Sequence, residues 1–583
     1  MLTDIRDLLP GSPLEADVCI VGSGPAGLPI ATELEAAGIS TLLVESGGVE
    51  ADDLSESLAA GETTGEPFCP LTITRAKRFG GTANYWDTRW DPATLGFRGA
   101  PLDPIDFERK EWLPESGWPF GLDALSGYYR RAHEFSGMGP FEYDPAPWSD
   151  GNGARPLVFP DESVETRIWH FGAQRTFLED RRDALARSRH VRVLLHAPVI
   201  GLEADPAGVK VTGVRIRVAE GREHVVRARV VVLAAGGLEN ARLLLLSDGV
   251  RRGGVGNRHD LVGRYFMEHQ LVRGGTLVPF DRSLFDRLSL YDERHVRGTP
   301  VMGKLRLSEA VMRREGLLNL AVALFPRHRW SHRFRWESLD AFRELVHAAR
   351  SRTLPEGVAT RAILAARGID FITARLTRKL SGDRLFRYWQ DGPSLLTAGW
   401  SSLPDKPSRF ARIELVAHTE QAPHAENRVT LARSLDALGC RQVSLHWEWR
   451  EQDVDSVRRS LALLGRGLES AGIGRLRPAE ECDGRPPLIH AGLHHHIGTT
   501  RMHPDPRRGV VDADCRVHDA PNLFIAGSSV FPTGGYINPT LTIIALSIRI
   551  ADAVRAELGR AGAMVRPAVV ERAGERAGDG VGT

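Results

Sequence analysis

Cysteine, charge of one sign and long apolar runs are all scarce in this chain. The five cysteines, Cys19, Cys69, Cys440, Cys482 and Cys515, are odd in number and show no C-x-x-C spacing. That argues against a disulfide framework and against a zinc ribbon. Basic residues number 75 and acidic residues 74, so no global field draws the chain to nucleic acid or to an acidic membrane surface. No uninterrupted apolar run is long enough to cross a bilayer. The opening "MLTDIRDLLPGSPLEAD" has neither an apolar signal core nor a twin arginine. A cytoplasmic protein with no nucleic-acid or membrane partner is the expectation. No internal repeat of fixed period stands out, and the tail 566–583, containing "VERAGERAGDGVGT", is charged and glycine-rich without apolar periodicity, so it is expected to be disordered.

What is present begins with a glycine loop. Val18, Ile20 and Val21 form a short β-branched run ending in Gly22, Gly24 and Gly27, after which Leu28, Ile30, Ala31 and Leu34 recur at helical spacing until Gly38. The pattern predicts strand, tight turn and helix. Gly22 permits the turn, Gly24 lets the backbone approach a pyrophosphate, and Gly27 lets helix and strand pack closely, leaving a helix N-terminus to face the anion. A second strand, "STLLVES", ends in Glu45, 23 residues after Gly22, where a carboxylate can accept hydrogen bonds from ribose hydroxyls. That acid would repel a 2'-phosphate, so FAD or NAD is favoured over NADP.

The length of 583 residues predicts two or three domains, not necessarily continuous in sequence. A β-rich unit, "VRVLLHAPVIGLEAD", "VKVTGVRIRVAEG" and "EHVVRARVVVLAAGG", ends in a strand of the kind buried on both faces. It is followed by a helix, "LENARLLLLSDG", that Gly249 is expected to cap. From 276 to about 480 arginine-rich helical patterns give way to the strand-like "RFARIELVAHTEQ" and "QVSLHWEWRE", the signature of a separate domain. Arginine on solvated helix faces accounts for the basic helices more simply than a nucleic-acid surface does. Near the C-terminus "NLFIAG" reads as a strand, and Asn538, Pro539 and Thr540 open a final helix whose N-terminus would stabilise negative charge. Read as a strand, the row "LHHHIG" would put His494 and His496 on one side and His495 on the other. No carboxylate or cysteine stands at ligand spacing beside them, so no metal is expected.

Taken in order, the N-terminal fingerprint with Glu45, "GGTANYW" at 80–86, "AAGGLENARLLLLS" at 234–247, "LVGRYFMEH" at 261–269 and the C-terminal block resemble the glucose-methanol-choline (GMC) oxidoreductases over nearly the whole chain. The resemblance implies α/β plus α+β architecture: a discontinuous Rossmann-like FAD-binding domain, of the kind shared with p-hydroxybenzoate hydroxylase, and a separate α+β substrate domain. The corresponding boundaries are 1–100, 186–275 and 482–565 for the FAD domain, and 101–185 and 276–481 for the substrate domain, with a helical insertion at about 329–392. It also implies FAD as cofactor, with Gly22, Gly24 and Gly27 at its pyrophosphate.

Residue by residue, the resemblance assigns the catalytic base to His495, seven residues before Met502, and its partner to Asn538. Gly80, Gly81, Thr82 and Asn84 match the loop beside the flavin ring, Val199 the adenine contact, Gly527 and Ser528 a second pyrophosphate contact, and Pro539 and Thr540 the final helix start. Tyr85 occupies the position of the flavin-linking histidine found in some pyranose oxidases, which implies noncovalent FAD. The histidine and asparagine pair with N-P-T-L-T is similar to pyranose oxidases and related sugar-oxidising flavoproteins. The implied reaction is oxidation of a CH–OH group on a sugar, glycoside or cyclitol-like alcohol, with oxygen, a quinone or another electron acceptor left open, as is a homo-oligomeric state. The alternatives are a flavin-containing lyase of the same family and a non-catalytic FAD-binding protein.

Overall fold

The computed structural model describes residues 1–9, 12–86, 88–89, 94–149, 154–218, 221–249, 251–328, 335–351, 354, 357–367, 369, 372, 399–479, 484–490 and 494–561. The tail at 566–583 and most of 368–398 lie outside the described residues, so the expectation of a disordered tail is not addressed. Within the helical insertion, the helices Arg335–Ser351 and Val358–Arg367 are described.

The first sheet is built around the strand Leu14–Val21. The strands Thr41–Val44 and Glu223–Leu233 flank it in parallel, and Val191–Leu195 and Leu2–Asp4 extend the sheet beyond Thr41–Val44. The long strand Glu223–Leu233 does two things along its length. Its first half pairs antiparallel with Val211–Arg217, while Val231–Leu233 lie between Leu14–Val21 and Ala520–Ile525, both parallel. Its burial follows: residues 223–229 are mixed, whereas Val230, Val231, Val232 and Leu233 are all buried, as expected for a strand covered on both faces. The helix Gly27–Ala36 and the helix Thr540–Ala561 pack together, and the helix Asp123–Phe135 packs on the latter. Leu541, Ile544, Leu546, Ile548, Ile550 and Val554 are buried along that last helix, each contributing about 1.5–3 kcal/mol.

A second sheet runs in the order Gly474–Arg477, Gln270–Pro279, Phe410–Thr419, Leu320–His328, Thr299–Leu307, Val164–Ala173, Leu95–Gly99 and Thr88–Arg89, all antiparallel. A third, small sheet joins Arg428–Leu435, Arg441–Trp447 and Gly61–Gly65. The α/β plus α+β architecture is therefore present, but the chain crosses between the units at other places than the sequence implies. Thr88–Arg89 and Leu95–Gly99 belong to the second sheet and not with the strands of the first, Gln270 already opens a second-sheet strand, and Leu488–His490 pairs with that same strand. Apolar alternation marks a strand without naming its sheet, which is why these boundaries shift. Gly249 is not the helix cap: the helix Gly237–Leu246 ends at Ser247, whose Oγ donates to the Leu243 carbonyl and accepts from the Leu202 N–H. Among the described residues no helix is long and apolar enough to cross a membrane.

Candidate active site

A cavity of about 1050 Å³ runs between the two sheets, at the upper end of the range for cofactor and ligand pockets. Its first wall is the glycine loop. Gly22 has φ +104°, and a Cβ there would meet the Ala234 carbonyl oxygen at 2.6 Å. A Cβ on Gly27 would lie 1.9 Å from the Gly22 carbonyl oxygen, so both positions require glycine for close packing. The helix that follows has no side-chain cap at Ala26, and Gly24, Pro25 and Ala26 line the cavity, leaving orphan N–H groups directed at it.

Facing this loop is the turn at Gly80–Thr82, with φ +88° at Gly80 and +52° at Gly81. A Cβ on Gly81 would lie 3.1 Å from Gly24 Cα. Ser23, which sequence reasoning passed over, ties the walls together. Its N–H and Oγ donate to Glu45 Oε2 at 2.9 and 2.6 Å, and its Oγ accepts from the Gly80 N–H at 3.2 Å. Glu45 stands at the strand end, its other oxygen taking the Ser46 N–H at 2.8 Å, and burial pushes its carboxyl above the usual range.

Gly81, Thr82, Val199, Gly527, Ser528, Asn538, Pro539 and Thr540 all line the same cavity. Gly80 and Asn84 are outside the lining: the Asn84 amide donates to the Phe79 and Gly81 carbonyls at 2.9 and 2.8 Å, bracing the turn from behind. Asn240 clamps two further loops. Its Oδ1 accepts from the Ala235 N–H, and its Nδ2 donates to the Ala526 carbonyl and to Ser529 Oγ.

One charged cluster borders this end. Glu239, in the first turn of its helix, meets Arg75 at 3.0 Å, Lys77 at 2.8 Å and Arg242 at 2.7 Å, and Arg242 also pairs with Asp436 at 2.5 Å. Burial opposes ionisation of Glu239, but the three cations together overcome it and hold the carboxyl far below its ordinary range.

At the other end the His495 Nε2 and Asn538 Nδ2 are 3.3 Å apart, both on the cavity wall. The histidine row is not a strand. His494 has φ +63°, and His494, His495 and His496 all line the cavity, so the alternation inferred from sequence fails because the backbone is irregular here. Glu268, 1% exposed, accepts the His495 N–H with both carboxylate oxygens, at 2.9 and 3.0 Å, and also the His269 N–H at 2.9 Å. His269 places Nδ1 3.0 Å from Nδ1 of His495. Burial first, then the neighbouring His269, His494 and His496, drive the His495 pKa well below 6.5, so the ring is neutral at neutral pH. Sequence reasoning missed Glu268 and His269, although they end the block "LVGRYFMEH", and missed His418, a cavity residue with no hydrogen-bond partner on either ring nitrogen. Among the described residues no group of three or more His, Cys, Asp or Glu is arranged to hold a metal ion.

These residues fit FAD. A Cβ at Gly22 or Gly27 would strike backbone, an uncapped helix start borders the cavity, and the buried Glu45 carboxyl lines it, a donor and acceptor set suited to a dinucleotide. A dinucleotide cradle that opens onto a histidine and an asparagine defines a redox enzyme whose cofactor carries the electrons. Comparison with known proteins agrees. Residues 15–57 match the family model described as FAD binding domain, and residues 423–547 match that described as GMC oxidoreductase. Paromamine 6'-oxidase of Streptomyces fradiae is 25% identical over 93% of this chain and 92% of its own length. Pyranose 2-oxidase of Tricholoma matsutake is 37% identical over a shorter stretch, 23% of this chain and 25% of that protein. A crystal structure of formate oxidase, 18% identical, superposes over 94% of this chain and 99% of that one with a TM-score of 0.51, which speaks to the fold. Its segment 423–547 is thus of GMC oxidoreductase type, and the chain is an FAD-dependent oxidoreductase.

Proposed function

We propose that the protein oxidises a CH–OH group of a neutral sugar, glycoside or cyclitol-like alcohol, with His495 as general base and Asn538 orienting the substrate oxygen. The observation that carries this reading is the pairing of His495 Nε2 and Asn538 Nδ2 on the wall of the cavity that the glycine cradle opens. The hydroxyl proton passes to Nε2 of His495 as the carbon–oxygen double bond forms and the hydride departs from the same carbon. FAD, when bound, supplies the hydride acceptor. A positioned base contributes about 10²- to 10⁴-fold, and a buried imidazole held neutral is ready for the proton at neutral pH.

Relatives named as oxidases of paromamine, C-glycosides and pyranoses support the sugar-like substrate class. The substrate end supports a neutral one. Phe97, Leu271, Leu488 and Ile489 line it, and its described charged residues are Arg98, bonded to Glu293 at 2.6 Å, and Arg273, in an ion pair with Glu414 at 3.3 Å. We also read the FAD as noncovalent, because Tyr85 stands at the linking position and its hydroxyl lies 3.4 Å from Glu56. The test is anaerobic addition of a panel of sugars, glycosides and cyclitols to the flavin-loaded protein. Bleaching by a panel member is the expected result, and readmitting air then separates an oxidase from a dehydrogenase. Product forming while the flavin stays oxidised would replace this reading by the lyase.

A further inference from the structure

His269 and His495 are 226 positions apart in sequence, yet their Nδ1 atoms are 3.0 Å apart and their rings meet edge to face. Two facing imidazole nitrogens can share only one proton, so one ring donates and the other accepts. Which one does so fixes which atom of His495 faces the substrate as a base. The chain of contacts has two ends. At one, the Asn538 amide lies 3.3 Å from His495 Nε2, and an amide can turn to donate or to accept. The other end is less adaptable.

His269 is 1% exposed, and its Nε2 packs on the Gly534–Gly535 backbone. A Cβ on Gly534 would come within 3.2 Å of that nitrogen, which makes no hydrogen bond of its own, and the Gly534–Gly535 backbone favours a proton on the ring. The Gly535 N–H is already directed to Glu420 Oε1 at 3.3 Å, so it does not offer a donor. No donor is hydrogen-bonded to His269 Nε2, and the amide nitrogen of Asn538 lies against Nε2 of His495, where it meets a lone pair if the His495 proton is on Nδ1. The proton on His269 therefore belongs on Nε2, which leaves Nδ1 as an acceptor.

We infer that His269 is a positioning residue for the alcohol oxidation. It accepts the Nδ1–H of His495, holds that ring in the tautomer whose Nε2 lone pair faces the substrate, and stabilises the imidazolium that proton abstraction creates. Glu268 completes the support by gripping both backbones, the His495 N–H with both carboxylate oxygens and the His269 N–H with one. This partner is a neutral ring and not a carboxylate. It orients His495 and raises its basicity less than a carboxylate would, in a site where Lys304, His418, His494 and His496 also face the pair and disfavour positive charge. The inference rests on His495 being the base.

The test has a structural arm and a kinetic arm. A neutron structure of the FAD-loaded protein is expected to show deuterium on Nδ1 of His495 and on Nε2 of His269; deuterium on Nε2 of His495 with Nδ1 bare overturns the proposal. In the kinetic arm, flavin reduction by a neutral hexose panel is followed for three variants that retain the flavin spectrum. His269→Leu, which offers no acceptor, is expected to slow reduction at least about tenfold with little change in substrate affinity. His269→Asn, whose Oδ1 can take the place of Nδ1, should recover most of that loss. His269→Asp, which adds a charge, should shift the acidic limb of the rate profile to higher pH. Equal losses in the Leu and Asn variants with an unmoved limb in the Asp variant would reduce His269 to packing. If His495→Ala reduces its flavin as fast as wild type, the base assignment itself falls; if that variant is impaired and His269→Leu is not, only the role of His269 falls.

Discussion

The space for a side chain at Gly27 ends 1.9 Å away, at the carbonyl oxygen of Gly22. No rotamer relieves that contact, because both atoms belong to backbone or would be Cβ. Gly27→Ala is therefore expected to push the helix off its strand. We predict soluble protein without flavin absorbance, or none that is soluble, and FAD retained at wild-type level would show that the loop can open at low cost.

His495→Ala is expected to lower the rate of flavin reduction by about 10²- to 10⁴-fold with the flavin spectrum intact. The pH dependence has a definite sign. A base must be deprotonated to act, so wild-type kcat/KM is held above the His495 pKa and lost as pH falls through it. Burial and the neighbouring histidines put that pKa well below 6.5, and the acidic limb of the profile should lie there, not near neutrality.

Glu239→Gln leaves Arg75 and Lys77 buried without their carboxylate. Removing one partner of a buried charge cluster costs about 3–5 kcal/mol, measurable by denaturant unfolding at pH 7. Because the folded Glu239 has a depressed pKa, its contribution is present above the unfolded carboxyl pKa of about 4.3 and is lost as pH falls below that. The gap between variant and wild type should narrow in acid.

A polycationic amino sugar meets Arg98 and Arg273 at the substrate end and no described acid free of an arginine partner. Compared with a neutral glycoside of the same size, it is expected to reduce the flavin with kcat/KM lower by about tenfold or more. Parity between the two in stopped-flow reduction would mean that acids elsewhere on the wall receive the amines.

Much of the cofactor end was legible in the sequence because it is local. Gly22, Gly24, Gly27 and Glu45 lie within 24 consecutive residues, and strand, turn and helix fix their relation before any long-range packing. The catalytic end depended on resemblance to a family, since nothing in the spacing of His495 and Asn538 brings them together. His269 and Glu268 were missed for a similar reason: their meaning arises only when an antiparallel bridge sets Met267 beside Ile497. The row at 494–496 misled in the opposite way. Alternation holds only for extended backbone, and the left-handed turn at His494 breaks it.

The strand Glu223–Leu233 carries one further consequence, for synthesis. Its inner half has a neighbour on one side made early, Leu14–Val21, and on the other made late, Ala520–Ile525. A nascent chain emerging from the ribosome must leave one edge of that apolar strand bare while about 290 more residues are translated. Through that interval the half-built nucleotide cradle lacks its last helix, Thr540–Ala561. The sheet, and the cavity wall that Gly527, Ser528 and Asn538 to Thr540 supply, can close only after that last segment has been made.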